Sequence, residues 1–154
     1  MTARTANYDA QEREGVEIDY PMLAAEIIYK GTPVFTEANG RAFSNDGTTN
    51  TLSNGNYYVG IAAEKCDNSA GAAEAKFVKV LRKGVFLLPI LGTVTQAKVG
   101  NAVYVNNVSD DSTATLTSDS GQPQARIGTL VKYVDSTHGW VQIDLHVDTI
   151  VAAA

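Results

Sequence analysis

Three alternating polar residues near the carboxyl end of the sequence, Asp144, His146 and Asp148, are the best candidates for chemistry. In a β-strand they would share one face at intervals of about 7 Å. Such a trio could bind a transition metal, or the two carboxylates could keep the imidazole protonated. The alternative is an ordinary solvent-facing strand surface, and no fourth ligand is recognisable in the sequence. We therefore predict no metal, no cofactor and no catalytic residue.

The other reactive side chains also argue against an enzyme. Cys66 is the only cysteine, which excludes an internal disulfide and a cysteine-cluster metal site. We expect an inert thiol there, because no histidine lies near it in sequence. His138, in "DSTHGW", is expected in a turn between two strands. The sequence contains no G-x-S-x-G, H-E-x-x-H, P-loop or G-x-G-x-x-G motif.

Length and charge exclude several partners. The 154 residues fit one domain with one hydrophobic core. The formal net charge of -5 leaves no basic footprint for nucleic acid. The longest apolar run, residues 85–91, is far shorter than the roughly 20 residues that span a bilayer, and the N-terminus has no apolar signal segment. We expect a soluble protein with no nucleic-acid partner and no membrane partner.

The elements that must position these residues are strands. The segment "GWVQIDLHVD" alternates apolar and polar residues, as a half-buried antiparallel strand does. Asn-Gly and Asp-Gly pairs mark tight turns, and no sustained helical period follows residue 30. The pattern predicts an all-β fold, a compact antiparallel β-barrel or β-sandwich. We expect an extended N-terminal arm at residues 1–24, the barrel at 25–149 and a short C-terminal tail at 150–154.

The two halves of the sequence resemble each other. "YKGTPVFT" aligns with "KVGNAVYV", and "YVGIAAEKCDNS" aligns with "RIGTLVKYVDST", which places Gly60 over Gly128. "KFVKVLR" then aligns with "GWVQIDL", which places Phe77 over Trp140. A glycine inside an apolar strand is typical of a bulge or a sharp bend. This internal similarity predicts two pseudo-repeated halves; chance similarity between short strands is the alternative.

An ordered set of segments resembles a known protein family. "GVFLLP" is followed by "KVGNAVYVNN", "TATLT", "ARIGTLVKY" and "GWVQIDLHV". In this order they are similar to the cement, or head decoration, proteins of tailed bacteriophages, and the similarity covers about residues 25–148. The N-terminal segment is longer than that family leads one to expect, and the loop at residues 39–56 is unusually rich in Asn and Gly.

The resemblance implies a structural virion protein. Its expected partners are the major capsid protein, whose neighbouring subunits it would bridge, and itself, as a homotrimer at quasi-threefold sites. Its expected place is the outer capsid surface, after synthesis in the host cytoplasm. Such a role requires a rigid body and an apolar self-association patch, and it requires no catalytic site.

Two groups of residues are predicted to make these contacts. The apolar residues Phe86, Leu87 and Leu88 are expected in the oligomer interface, with one face of their strand inside the barrel and the other against a neighbouring subunit. Pro89 in the same run is expected to bar a central hydrogen-bonded ladder position. Residues of the arm are expected to contact the capsid; they are Tyr8, Arg13 and Tyr20.

A carbohydrate-binding or adhesion β module, with a host-surface glycan as its partner, is the alternative function. Aromatic rings stack on sugars, and strand-located aromatic residues supply candidates. They are Tyr57, Tyr58, Tyr104, Tyr133 and Trp140. Core packing accounts equally for aromatic residues that alternate into apolar strands.

Overall fold

The computed structural model describes residues 16–46, 52–53, 55–105, 114–116 and 124–143. These residues contain twelve β-strands, one 3-10 helix at Gln96–Lys98 and no α-helix. The predicted all-β fold is confirmed. The strands are β1 (Glu17–Pro21), β2 (Ile27–Ile28), β3 (Pro33–Thr36), β4 (Ala42–Phe43), β5 (Tyr57–Ala62), β6 (Cys66–Asp67), β7 (Phe77–Leu81), β8 (Gly84–Leu91), β9 (Ala102–Val105), β10 (Ala114–Thr115), β11 (Arg126–Asp135) and β12 (His138–Ile143).

The second half of the chain forms a closed barrel. Its strands follow the order β8, β12, β11, β9 and β10, and β10 returns to β8. All these pairs are antiparallel except β10 with β8, which are parallel where Ala114 lies opposite Ile90. Closure removes most exposed strand edges, which stabilises a small sheet against pairing with other chains.

The first half forms a five-stranded sheet with the same strand order. β1, β7, β5, β3 and β4 stand in the places of β8, β12, β11, β9 and β10. A single parallel bridge between Met22 and Ala42 joins its two ends, as the parallel β10 to β8 pair closes the barrel. The short sheet of β2 and β6 lies outside this scheme. The structure therefore contains two copies of one five-stranded unit.

The glycines Gly60 and Gly128 hold equivalent places in the two units. Gly60 pairs with Val34 and Gly128 pairs with Val103, and a register irregularity adjoins each pair. A Cβ atom on Gly60 would collide with the backbone carbonyl of Leu81, and one on Gly128 would collide with that of Gln142. Gly60 also has a φ of +141°, which disfavours other residues. The bend predicted at these positions is therefore a close backbone contact repeated in both units.

Two sequence-based expectations need correction at β1. Residues 17–21 pair with β7 along their whole length, and Met22 is fully buried, so this part of the predicted arm belongs to the body. The pairing register also makes Val80 the structural equivalent of Val141. Val80 lies opposite Ala62 and Val141 lies opposite Leu130, and these two residues each follow the equivalent glycines Gly60 and Gly128 by two positions. The expected alignment of Phe77 with Trp140 is therefore two residues out of register.

The structural equivalence also reveals a repeat that the sequence alignment missed. The register makes β1 the counterpart of β8, with Pro21 in the place of Pro89 and Met22 in the place of Ile90. The N–H of Met22 donates to the carbonyl of Lys76 at 2.9 Å, and the N–H of Ile90 donates to that of Thr137 at 2.8 Å. At or near the end of its first strand, each unit therefore has a Pro followed by a buried apolar residue.

The two units share a hydrophobic core. One cluster of buried residues combines Phe35, Phe43 and Tyr58 of the first unit with the interior of the barrel. The ring of Phe35 lies 6.0 Å from that of Phe43 and 5.8 Å from that of Tyr58, within the range of favourable aromatic contacts. A second cluster fills the first unit itself, around Val78 and Val80. This shared packing holds the units together as one body.

Candidate interaction surface

Some predicted site residues lie outside the described part of the chain. They are Asp144, His146, Asp148, Tyr8 and Arg13. Among the residues that are described, no group of three His, Cys, Asp or Glu side chains could hold a metal ion. Tyr20, predicted in a capsid-contacting arm, is a half-buried residue of β1 that packs against the core of the first unit.

Cys66 lies in β6 in a setting that keeps its thiol protonated. Burial raises the pKa of Cys66, Glu64 and Asp67 raise it further, and Lys76 opposes them. The Sγ atom of Cys66 lies 3.5 Å from the carbonyl oxygen of Phe77, to which the thiol donates a hydrogen bond. Because the thiolate is the nucleophile, this arrangement agrees with the expectation of an inert thiol.

His138 is the first residue of β12, and it stabilises the hairpin between β11 and β12. The carboxylate of Asp135 accepts hydrogen bonds from the backbone N–H of Thr137 at 2.8 Å and from its hydroxyl at 3.0 Å. The Nδ1 atom of His138 lies 3.2 Å from the same carboxylate. The backbone N–H of Thr137, its hydroxyl and His138 lower the pKa of Asp135. The hydroxyl of Thr137 also lies 2.8 Å from Nδ1 of His138, so the three residues together fix the turn.

Glu26 is a fully buried carboxylate with a structural task. It accepts hydrogen bonds from the backbone N–H of Ser44 at 2.9 Å and from the Ser44 hydroxyl at 3.1 Å. Asn68 donates its backbone N–H to the carbonyl of Glu26 at 2.8 Å. A buried polar side chain is stable where hydrogen bonds satisfy it, and here they anchor the segment that follows β4.

Strand β8 carries apolar residues on both faces, and the barrel determines which face is outside. Leu88 and Ile90 are buried, and Phe86 packs against the same core. Val85 is 50% exposed and Leu87 is 47% exposed. Of the three residues predicted in the oligomer interface, only Leu87 therefore lies on the outer surface. Phe86 and Leu88 face the barrel interior, because side chains alternate along a strand.

The exposed side of β8 continues onto β12. Leu87 pairs with Trp140, which pairs on its other side with Lys132. We call Val85, Leu87, Leu91 and Trp140 the apolar face. Leu91 at its end is 55% exposed. Exposed apolar residues in one contiguous stripe are typical of an interaction site.

The first unit carries charges at three of these four places, and Leu91 corresponds to Leu23. Glu17 and Asp19 stand where β8 has Val85 and Leu87, and Lys79 stands where β12 has Trp140. The Nζ atom of Lys79 lies 3.9 Å from Oε1 of Glu17. The fold therefore tolerates charged residues at the outward positions. The apolar face is a property of the second unit and is not required by its architecture.

One edge of β8 is open beside this face. The N–H of Ile90 points toward Thr137 beside β12, so the backbone groups of Val85, Leu87 and Pro89 point the other way. Among the described residues, no strand pairs with that edge before Ile90. Pro89 therefore occupies a position without a ladder hydrogen bond to β12, which agrees with the expectation that a proline cannot hold a hydrogen-bonded one.

A groove of about 490 Å³ lies next to β8. Its lining includes residues 86–89 of β8, the turn from Tyr29 to Thr32, and Ile61. Among the described residues of this lining, Lys30 alone is charged. The groove therefore joins an apolar strand edge to a single cation.

The aromatic residues proposed for sugar stacking do not share an exposed platform. Tyr58 is buried, Tyr57 lies in β5 of the first unit, and Trp140 lies in β12 of the second. The most exposed aromatic side chains are instead Tyr29 and Phe77, which sequence reasoning did not select. Alternation with buried Val78 was the available signal for Phe77.

Comparison with protein-family models, curated proteins and solved structures returned no match. In the part of the chain that the structure describes, no helix has the length and apolar character needed to cross a membrane.

Proposed function

We propose that this chain is a structural protein of a bacteriophage capsid, which decorates the outer surface and bridges neighbouring major capsid proteins as a homotrimer. The single observation that carries the proposal is the apolar face of the second unit. Its counterpart in the first unit has Glu17, Asp19 and Lys79 at the equivalent places. Because the fold does not require apolar residues on this face, contact with a partner is the explanation that we propose for them.

The body of the protein supports this role. Two barrel-like units with a shared core form a rigid block of strands, and the segments that resemble the cement family occupy β8 to β12 in order. A protein that bridges subunits acts through contact area and stiffness, so it requires no active site, cofactor or nucleic acid. The proposal includes a non-enzymatic role and a location on the virion.

Cryo-electron microscopy of shells mixed with purified protein tests the proposal. We expect extra density on the outer surface at quasi-threefold positions, and we expect decorated shells to withstand higher temperature than bare ones. The variant Leu87→Asp should decorate poorly, whereas Glu64→Lys, at an exposed site distant in sequence from β8, should decorate as the wild type does. Density inside the shell, or no density on any shell of the phage that encodes the protein, would reject the proposal.

A further inference from the structure

Both units begin with a strand that has an outer edge left unpaired by the residues that the structure describes. In β1, the N–H of Met22 bonds toward β7, so the backbone groups of Glu17 and Asp19 point away from that strand. In β8, those of Val85 and Leu87 point away from β12 for the same reason. Within the described residues, neither pair has a strand partner on its open side. Each edge therefore presents two N–H donors and two carbonyl acceptors.

The two edges have complementary chemistry. The β1 edge carries the carboxylates of Glu17 and Asp19, both of which are exposed. The β8 edge has apolar side chains and a cation at each end, with Lys83 before Gly84 and Lys30 in the groove beside Pro89. Charged side chains on an edge strand normally prevent it from pairing. A cationic partner edge removes that obstacle, whereas a second acidic edge does not.

We propose that the open edge of β1 in one copy of this chain pairs with the open edge of β8 in a second copy. The occupant of the groove is thus the β1 strand of a neighbour. Its backbone bonds to Val85 and Leu87, and its carboxylates lie near Lys30 or Lys83. The inference deepens the proposed function and rests on it, because it identifies the surface through which the protein would form its trimer.

The pairing is head-to-tail, which determines the kind of assembly that results. Two β1 edges would bring Glu17 and Asp19 against their own copies, and two β8 edges would bring cations together. Like charges facing each other across an interface are unfavourable. A contact between two different surfaces repeats from copy to copy, and it closes into a ring when the rotation allows. A cyclic trimer is such a ring.

Self-association of the purified full chain tests the pairing, by native mass spectrometry and by light scattering over a concentration series. We expect the wild type to form trimers. Asp19→Lys should weaken the association at least about tenfold, since it places a cation against the cations of β8. Glu64→Lys changes the net charge equally at an exposed site outside both edges, so it should associate as the wild type does.

A rescue variant separates charge complementarity from damage to the fold. Asp19→Lys combined with Lys30→Glu and Lys83→Glu reverses the sign of these charges on both edges. Association should therefore return, whichever end of β8 meets residue 19. Leu87→Pro removes an N–H from the open edge and leaves the β12 ladder intact; it should yield a monomer with the circular dichroism spectrum of the wild type. If Leu87→Pro loses that spectrum, the charge-reversal set alone decides.

Three results would overturn the inference: a wild-type chain that stays monomeric at about 100 μM, far above the dissociation constants of stable oligomers, an Asp19→Lys variant that associates normally, or a triple variant that stays monomeric while folded. Binding to shells is measured separately. A trimer of this kind that fails to decorate shells refutes the proposed function alone. A monomer that decorates shells refutes the pairing and the homotrimer, and it leaves the proposed role in capsid decoration standing.

Discussion

Leu87 and Leu88 form a matched pair for a stability test, because they are neighbours in β8 with opposite surroundings. Leu88 is 7% exposed within the core, and Leu87 is 47% exposed on the apolar face. Truncating a buried Leu to Ala costs about 2–5 kcal/mol in the free energy of unfolding. The same truncation at a half-exposed site costs less than about 1 kcal/mol, since much less area returns to water.

The measurement is thermal unfolding at low protein concentration, where subunit association does not contribute. For a chain of this size each kcal/mol shifts the Tm by about 2–4 °C, so Leu88→Ala should lower it by roughly 5–15 °C and Leu87→Ala by about 3 °C or less. When both variants are folded, Leu87→Ala should weaken binding to shells more than Leu88→Ala does. Equal Tm losses would refute the assignment of the two residues to opposite faces, and a larger loss for Leu87→Ala would invert it.

The remaining predictions concern the repeated glycines, the hairpin turn and the thiol. Gly60→Ala and Gly128→Ala should each destabilise the protein by more than about 1 kcal/mol in urea unfolding, since each Cβ meets a backbone carbonyl; a neutral substitution would contradict the close contact. The pKa of Asp135 is lowered from 3.8, so the stability that its carboxylate contributes is present above that pH and is lost as the pH falls through the folded-state pKa. Asp135→Asn should therefore make the midpoint of unfolding less sensitive to acid, and an unchanged acid profile would contradict this. Because burial raises the pKa of the Cys66 thiol above its usual range, iodoacetamide at neutral pH should alkylate the folded protein more slowly than the urea-unfolded protein, and equal rates would show an unperturbed thiol.

The sequence was sufficient to predict the all-β fold and part of the repeat, because both show in local patterns. Alternation in "GWVQIDLHVD" led to β12, and the aligned Gly60 and Gly128 proved to be equivalent bends. Strand β1 was missed because its outward residues, Glu17 and Asp19, are charged and its inward residues are few. A short edge strand of this composition looks like a solvated arm, although the proline that it shares with β8 at residues 21 and 89 was a visible signal.

The outward-facing residues of β8 were predicted less well for a physical reason. When both faces of a strand are apolar, alternation cannot tell which face is buried, and the pairing register decides. The bonds that place Leu88 opposite Gly139 and Leu87 opposite Trp140 link segments about 50 residues apart, so no local window contains them. The open edge of β8 depends on the same long-range pairing.

Comparison of the two units separates the residues that the fold requires from those that serve another purpose. The inward positions of the leading strands are apolar in both copies: Ile18 corresponds to Phe86, Tyr20 to Leu88 and Met22 to Ile90. The core therefore requires apolar residues at these inward positions in both units.

The outward positions diverge, with carboxylates at Glu17 and Asp19 and hydrocarbon at Val85 and Leu87. Exposed hydrocarbon gives the isolated chain no stability, and it gains free energy only when a neighbour removes it from water. Because the same backbone carries charges in the first unit, the protein itself supplies the control: the fold accepts a charged outer face, and the proposed partner would account for the apolar one.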